Sequence, residues 1–244
     1  MGTGYFLVLI GAVLCMAASA YVKSTFKKYS KYGTMSNLSG AEVAQIILER
    51  NDINYVKIGH ISGELTDHFN PSKGIVNLSD SVYDNRSVAA VAVAAHECGH
   101  VVQHHNGYLP IKFRTSLVPL ANIGSKLGLP MVMIGLLLGG FASRASQYGS
   151  SGGGGLAYLL CTMGIWAFAL GTAFQIVTLP VEFNASSRAL VMLQEYGILQ
   201  SDELSKGRAV LTAAAMTYVA AAASSILQLL RLIMIVNGNG KRRR

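Results

Sequence analysis

Four long apolar runs punctuate the chain: Tyr5 to Val22, Leu117 to Phe141, Leu156 to Leu179, and Ala209 to Val236. Each of the first three is long enough, or nearly so, to cross a bilayer core as a helix. The last divides into an alanine-rich half, Ala209 to Ala223, and a greasier but short half, Ile226 to Val236, which carries Arg231. That division predicts a C-terminal helical segment, 209–236, that either spans or lies along the interface. Between the first two runs lies a polar region, 24–114, and 180–208 is a second one.

Within the polar region the periodicity changes twice. Ser39-Gly40-Ala41-Glu42 reads as a capping box, and Val43, Ala44, Ile46, Ile47 and Leu48 follow at helical spacing, so a short amphipathic helix ends near Asn51. Tyr55-Val56-Lys57-Ile58 and Gly74-Ile75-Val76-Asn77-Leu78 alternate as strands do, with turn chemistry at Asn70-Pro71-Ser72-Lys73-Gly74. Two or three short strands are expected there. A helix capped near Ser87 then runs to about His105. In the second apolar run Pro130 predicts a kink, and Gly149 to Gly155 reads as a flexible loop.

Composition agrees with the runs. Of 244 residues 51% are apolar and only 13% charged, about half the charge of a soluble domain; the mean hydropathy is +0.40. The chain therefore reads as an integral membrane protein with three to four membrane helices, a 5–22 anchor and a 117–179 hairpin. The first four residues carry no Lys or Arg and four lysines, Lys23, Lys27, Lys28 and Lys31, follow the run, which favours an uncleaved anchor despite the leader-like Ala18-Ser19-Ala20. Those lysines and the terminal Lys241-Arg242-Arg243-Arg244 account for much of the net charge of +8. Basic clusters beside spans suit lipid headgroups, and no basic stripe interleaved with aromatics points to nucleic acid. If the lysines are cytoplasmic, both polar regions face the cytoplasm.

Candidate chemistry centres on His96-Glu97-Cys98-Gly99-His100. Positions four apart share a helix face, so two imidazoles can hold one Zn²⁺ while Glu97 reaches a water on it. Cys98 is turned about 200° from His96 and reads as a small buried residue rather than a ligand. His60 and His68 read as surface residues. His104 lies eight residues beyond His96, roughly 12 Å along the axis, too far to join the same ion; with His105 it reads as an exposed helix end. Catalytic zinc takes three protein ligands. A two-span hairpin returns Pro180-Val181-Glu182-Phe183-Asn184-Ala185 to the membrane face of the motif, and Glu182 is the first charge after Leu156. A carboxylate so close to hydrocarbon needs a partner, which makes it the third-ligand candidate; the competing reading pairs it with Arg188.

Leu65-Thr66-Asp67-His68, Ser87-Val88-Ala89-Ala90-Val91, Ala94-Ala95-His96-Glu97-Cys98-Gly99-His100 and Leu179-Pro180-Val181-Glu182-Phe183-Asn184-Ala185-Ser186 together resemble the YugP-like family of neutral zinc metallopeptidases. The resemblance covers nearly the whole chain, and the family is related in style to the HtpX-type membrane proteases. It implies a mainly α membrane protein with a small α+β zincin-like catalytic part. It also implies His96, His100 and Glu182 as zinc ligands, Glu97 as general base, and a bacterial plasma membrane. The activity it implies is that of a gluzincin-type zinc metalloendopeptidase acting on protein or peptide substrates. Where the family commonly has Asp two residues after the ligand glutamate, this chain has Asn184, an amide that orients by hydrogen bonding but adds no charge. Tyr108, His105 and Arg188 are candidate oxyanion donors, and the edge of the Tyr55–Ser79 strands is a candidate binding edge for an extended substrate. A non-catalytic zinc-binding scaffold or chaperone-like protein is the alternative. Transport is less favoured, since the second and third runs offer only Lys126, Pro130 and Gln175 as unusual features.

Overall fold

The computed structural model describes residues 2–146 and 154–241. Most of the expected Gly149–Gly155 loop and Arg242 to Arg244 lie outside the described residues. Among the described residues six helices and three strands follow in order: α1 Gly2–Tyr29, α2 Gly40–Arg50, β1 Lys57–Ile61, β2 His68–Asn70, β3 Ile75–Ser79, α3 Val88–His105, α4 Leu109–Ser146, α5 Gly154–Glu195 and α6 Ser201–Lys241. Four of the helices, α1, α4, α5 and α6, are long and apolar enough to cross a membrane.

Two compact units emerge. The first comprises Met1–Met16, Phe113–Val177 and Val219–Arg244; the second comprises Ala17–Lys112 and Thr178–Tyr218. In the first, α4 and α5 meet through glycines. A methyl group at Gly124 would stand 2.1 Å from the Ala167 carbonyl oxygen, and one at Gly135 would stand 2.6 Å from Cys161 Sγ. Small residues give close backbone approach where lipid offers no hydrophobic drive. The helix of α4 runs on through both Pro119 and Pro130. Arg231, which the sequence marks as a reason to doubt a simple span, lies on α6 with its guanidinium 5.2 Å from the centre of the Tyr5 ring. That cation–π contact accommodates its charge, and α6 is one continuous 41-residue helix rather than two segments.

The second unit holds the sheet and the motif helix. The capping box forms as the sequence indicates: the Ser39 side chain accepts from the Glu42 amide, and the Glu42 carboxylate accepts from the Ser39 amide at 2.6 Å. The strands pair in an order the alternation does not reveal, β1-β3-β2, with β1 parallel and β2 antiparallel to β3. The Asn70–Gly74 turn therefore joins β2 to β3, with Gly74 at φ +58°, a left-handed conformation glycine adopts without strain. The segment around Tyr55–Ile58 enters instead as β1, through a longer connection. On β3, Val76 and Leu78 are fully buried, as period-two alternation requires of a half-covered strand.

Ser87 caps α3, its hydroxyl accepting from the Ala90 amide at 3.3 Å. From Val88 to Ala92 every residue of α3 is buried. One core cluster joins α2, β3, α3 and parts of α5 and α6, including Ile47, Val76, Val91, Leu193 and Leu211. A helix apolar on all sides belongs in such a place. α5 continues through Pro180 to Glu195, so Glu182 lies on the same helix as the third apolar run and not in a separate segment. Its register on α3 is set by Gly99, where a methyl group would stand 2.6 Å from the Ala185 carbonyl oxygen. Gly99→Ala is expected to push the two helices apart, costing about 1–3 kcal/mol as overpacking does. Thermal unfolding of the detergent-purified variant checks this: its midpoint should fall below that of wild type.

Candidate metal centre

One helix face carries the first two functional side chains. His96 and His100 are a turn apart on α3, with ring centroids 4.8 Å apart and planes at 83°. From α5, Glu182 reaches both: its Oε2 lies 3.3 Å from His96 Nε2 and 3.4 Å from His100 Nε2. One ligand atom from each residue falls within 4.8 Å of the others. The surroundings are dry, with Glu182 only 1% exposed and His100 8%. Burial works against a charged His100, yet the hydrogen bond to Glu182 and the field of Glu97 outweigh it and hold the imidazole pKa above its ordinary value. A cation is what this pocket favours.

The second nitrogen of each ring is held from behind. Ser186 Oγ lies 3.1 Å from His96 Nδ1, and Gln103 Oε1 lies 3.0 Å from His100 Nδ1. Both Nε2 atoms are thereby aimed at Glu182. Two imidazole nitrogens and one carboxylate, each ring anchored through its other nitrogen, form a donor set that suits a zinc ion with one position left open. Glu97, also buried, lies close enough for His100 to feel its charge, and its Oε2 accepts from the Phe69 amide of β2 at 3.0 Å.

The remaining candidates lie apart from this cluster. His60 pairs with Asp80 at 2.7 Å and stacks on Tyr83. His68 is exposed and bonded to Thr66 and Asn77. His104 and His105 are exposed at the end of α3, touching Phe69 and Tyr55. Arg188 donates from Nε to Asn184 Oδ1 at 2.8 Å and lies over the Tyr108 ring. Cys98 faces α2, its thiol toward the Ala44 carbonyl, and burial pushes its pKa well above the usual thiol range. Sequence reasoning passes over Gln103 and Ser186. Both were findable by helical spacing, three residues beyond His100 and four beyond Glu182.

The family model described as "Putative neutral zinc metallopeptidase" matches residues 4–237. The chain is 39% identical over 234 residues, 96% of each chain, to "Putative membrane protease YugP" of Bacillus subtilis (strain 168). No solved structure matches it.

Because thiols react as thiolates, Cys98 should stay unmodified by iodoacetamide at about pH 8 in the folded protein and react once the protein is denatured. Peptide mass mapping reads the result, and Cys98→Ala should bind as much zinc as wild type.

Proposed function

Because the chain belongs to this family of neutral zinc metallopeptidases, we propose that it is a membrane-embedded zinc endopeptidase of gluzincin type, with His96, His100 and Glu182 as ligands and Glu97 as general base. The convergence of two Nε2 atoms and a buried carboxylate beside Glu97 carries this reading. Zinc, when bound, polarises a carbonyl and lowers the pKa of water at its open position toward ~7. Glu97 takes the proton of the attacking water and hands it to the leaving amine. The Phe69 amide keeps the Glu97 carboxylate in place between those transfers. Low exposure around Glu182 and His100 limits competing solvent and strengthens each of these interactions.

In this proposal residues 24–114 and 180–208 form the catalytic part, zincin-like in style, while 5–22, 117–179 and 209–236 serve the membrane. A catalytic part joined to four membrane-competent helices fits substrates that are membrane proteins or their juxtamembrane segments. The catalytic side is assigned to the cytoplasmic face of a bacterial plasma membrane, following the lysines after the first run.

The deciding experiment measures zinc content and casein cleavage on detergent-purified wild type, Glu97→Gln and Glu182→Gln. Glu97→Gln should keep zinc and lose about 10²–10⁴-fold in cleavage rate, the range of a general base. Glu182→Gln should lose both. Zinc held by all three with no cleavage by any would instead favour the scaffold reading, and zinc held by Glu182→Gln as tightly as by wild type would remove Glu182 from the ligand set.

A further inference from the structure

We propose that Arg188, Asn184 and Gln103 form a directional hydrogen-bond relay that fixes His100 in the tautomer able to bind a metal, so that Gln103 and Asn184 are positioning residues for the centre. The inference rests on the ligand assignment above. Its argument is one of donors and acceptors.

Gln103 is completely buried. One atom of its amide lies 2.8 Å from the Val181 carbonyl oxygen and 3.0 Å from Asn184 Oδ1. A main-chain carbonyl only accepts, so the atom facing it must be the NH₂ group. That NH₂ has two protons, and the two oxygens use both. The other amide atom is then the carbonyl oxygen, which only accepts, and it faces His100 Nδ1 at 3.0 Å. His100 must therefore carry a proton on Nδ1. In the neutral ring this leaves the lone pair on Nε2, the atom turned toward Glu182.

The relay is fixed from its far end too. An arginine has donors and no acceptor, so the Asn184 atom facing Arg188 Nε at 2.8 Å must be the oxygen. That same oxygen takes the Gln103 proton. Reversing the Gln103 amide would set acceptor against acceptor at both Val181 and Asn184, and reversing the Asn184 amide would set donor against donor at both Gln103 and Arg188. In a buried site such a mismatch leaves polar groups unsatisfied, which is strongly disfavoured. The orientation of both amides is thus decided between an arginine and a main-chain carbonyl.

This also accounts for Asn184. The position needs an oxygen that accepts from two donors, and an amide oxygen or a carboxylate serves equally. An apolar side chain does not.

The test is zinc affinity, by chelator competition on detergent-purified protein, read beside the unfolding temperature of the metal-free form. Gln103→Met, close in volume and without hydrogen bonds, should weaken zinc binding about 10–100-fold, as loss of a ligand's supporting partner does. Asn184→Leu should weaken it in the same direction, and Asn184→Asp should restore affinity to near wild type. The half-buried Asn184 pair carries the test where Gln103→Met fails to fold. Unchanged zinc affinity in Asn184→Leu, with only the metal-free unfolding temperature lowered, overturns the relay and leaves the ligand assignment standing. So does an Asn184→Asp that binds no better than Asn184→Leu. A wild-type chain that binds no zinc overturns both readings.

Discussion

Removing a carboxylate from water must be compensated on the spot, and Glu182 is removed almost entirely. An isolated charge in such a place carries a penalty of several kcal/mol. Two imidazoles one helical turn apart lie against it, and this demand organises the second unit. α3 and α5 must approach closely enough for short side chains to meet, so position 99 has no room for a Cβ. α3 must also be held in register along its length. The Ser87 cap and the packing of its apolar faces against α2, β3, α5 and α6 do this. The small sheet belongs to the same arrangement, because β2 supplies the amide that holds Glu97.

Much of this was legible in the sequence, for a physical reason. Signals that act within a few residues survive being read alone: the Ser39–Glu42 box, the Ser87 cap and the four-residue histidine spacing all act within one or two helical turns. Apolar runs are equally local. Glu182 was reached by topology, since a hairpin of two spans returns the chain to its starting face. The pairing of strands was not legible. His68-Phe69-Asn70 is too short to show alternation, and parallel pairing of β1 with β3 depends on contacts the alternation cannot encode. Continuity of α5 through Pro180 was missed as well. A proline inside a helix removes one donor and strains one turn, yet the apolar and buried contacts on both sides of residue 180 hold the helix together.

Gln103 and Ser186 mark a subtler limit. Their residue types and spacings were in view, but a polar residue near a helix end has an ordinary solvated reading that is usually right. Only burial separates the two cases, and complete burial of an amide requires that every donor and acceptor be used. The structure supplies that fact for Gln103.

The groups behind the imidazoles also bear on charge. Ser186 and Gln103 are neutral, as is Asn184 behind Gln103. Within the proposed centre the ionised groups are then the carboxylates of Glu182 and Glu97, whose two negative charges balance a divalent ion. A carboxylate in the place of Gln103, directly against His100, would add a third negative charge to a region with little water to screen it. Placing the Arg188 guanidinium on Asn184 rather than on a ligand keeps that balance. The guanidinium orders the relay through its geometry, and its charge stays two side chains away from the imidazole it helps to orient. Neutral support of this kind fixes direction without adding charge directly behind the imidazole.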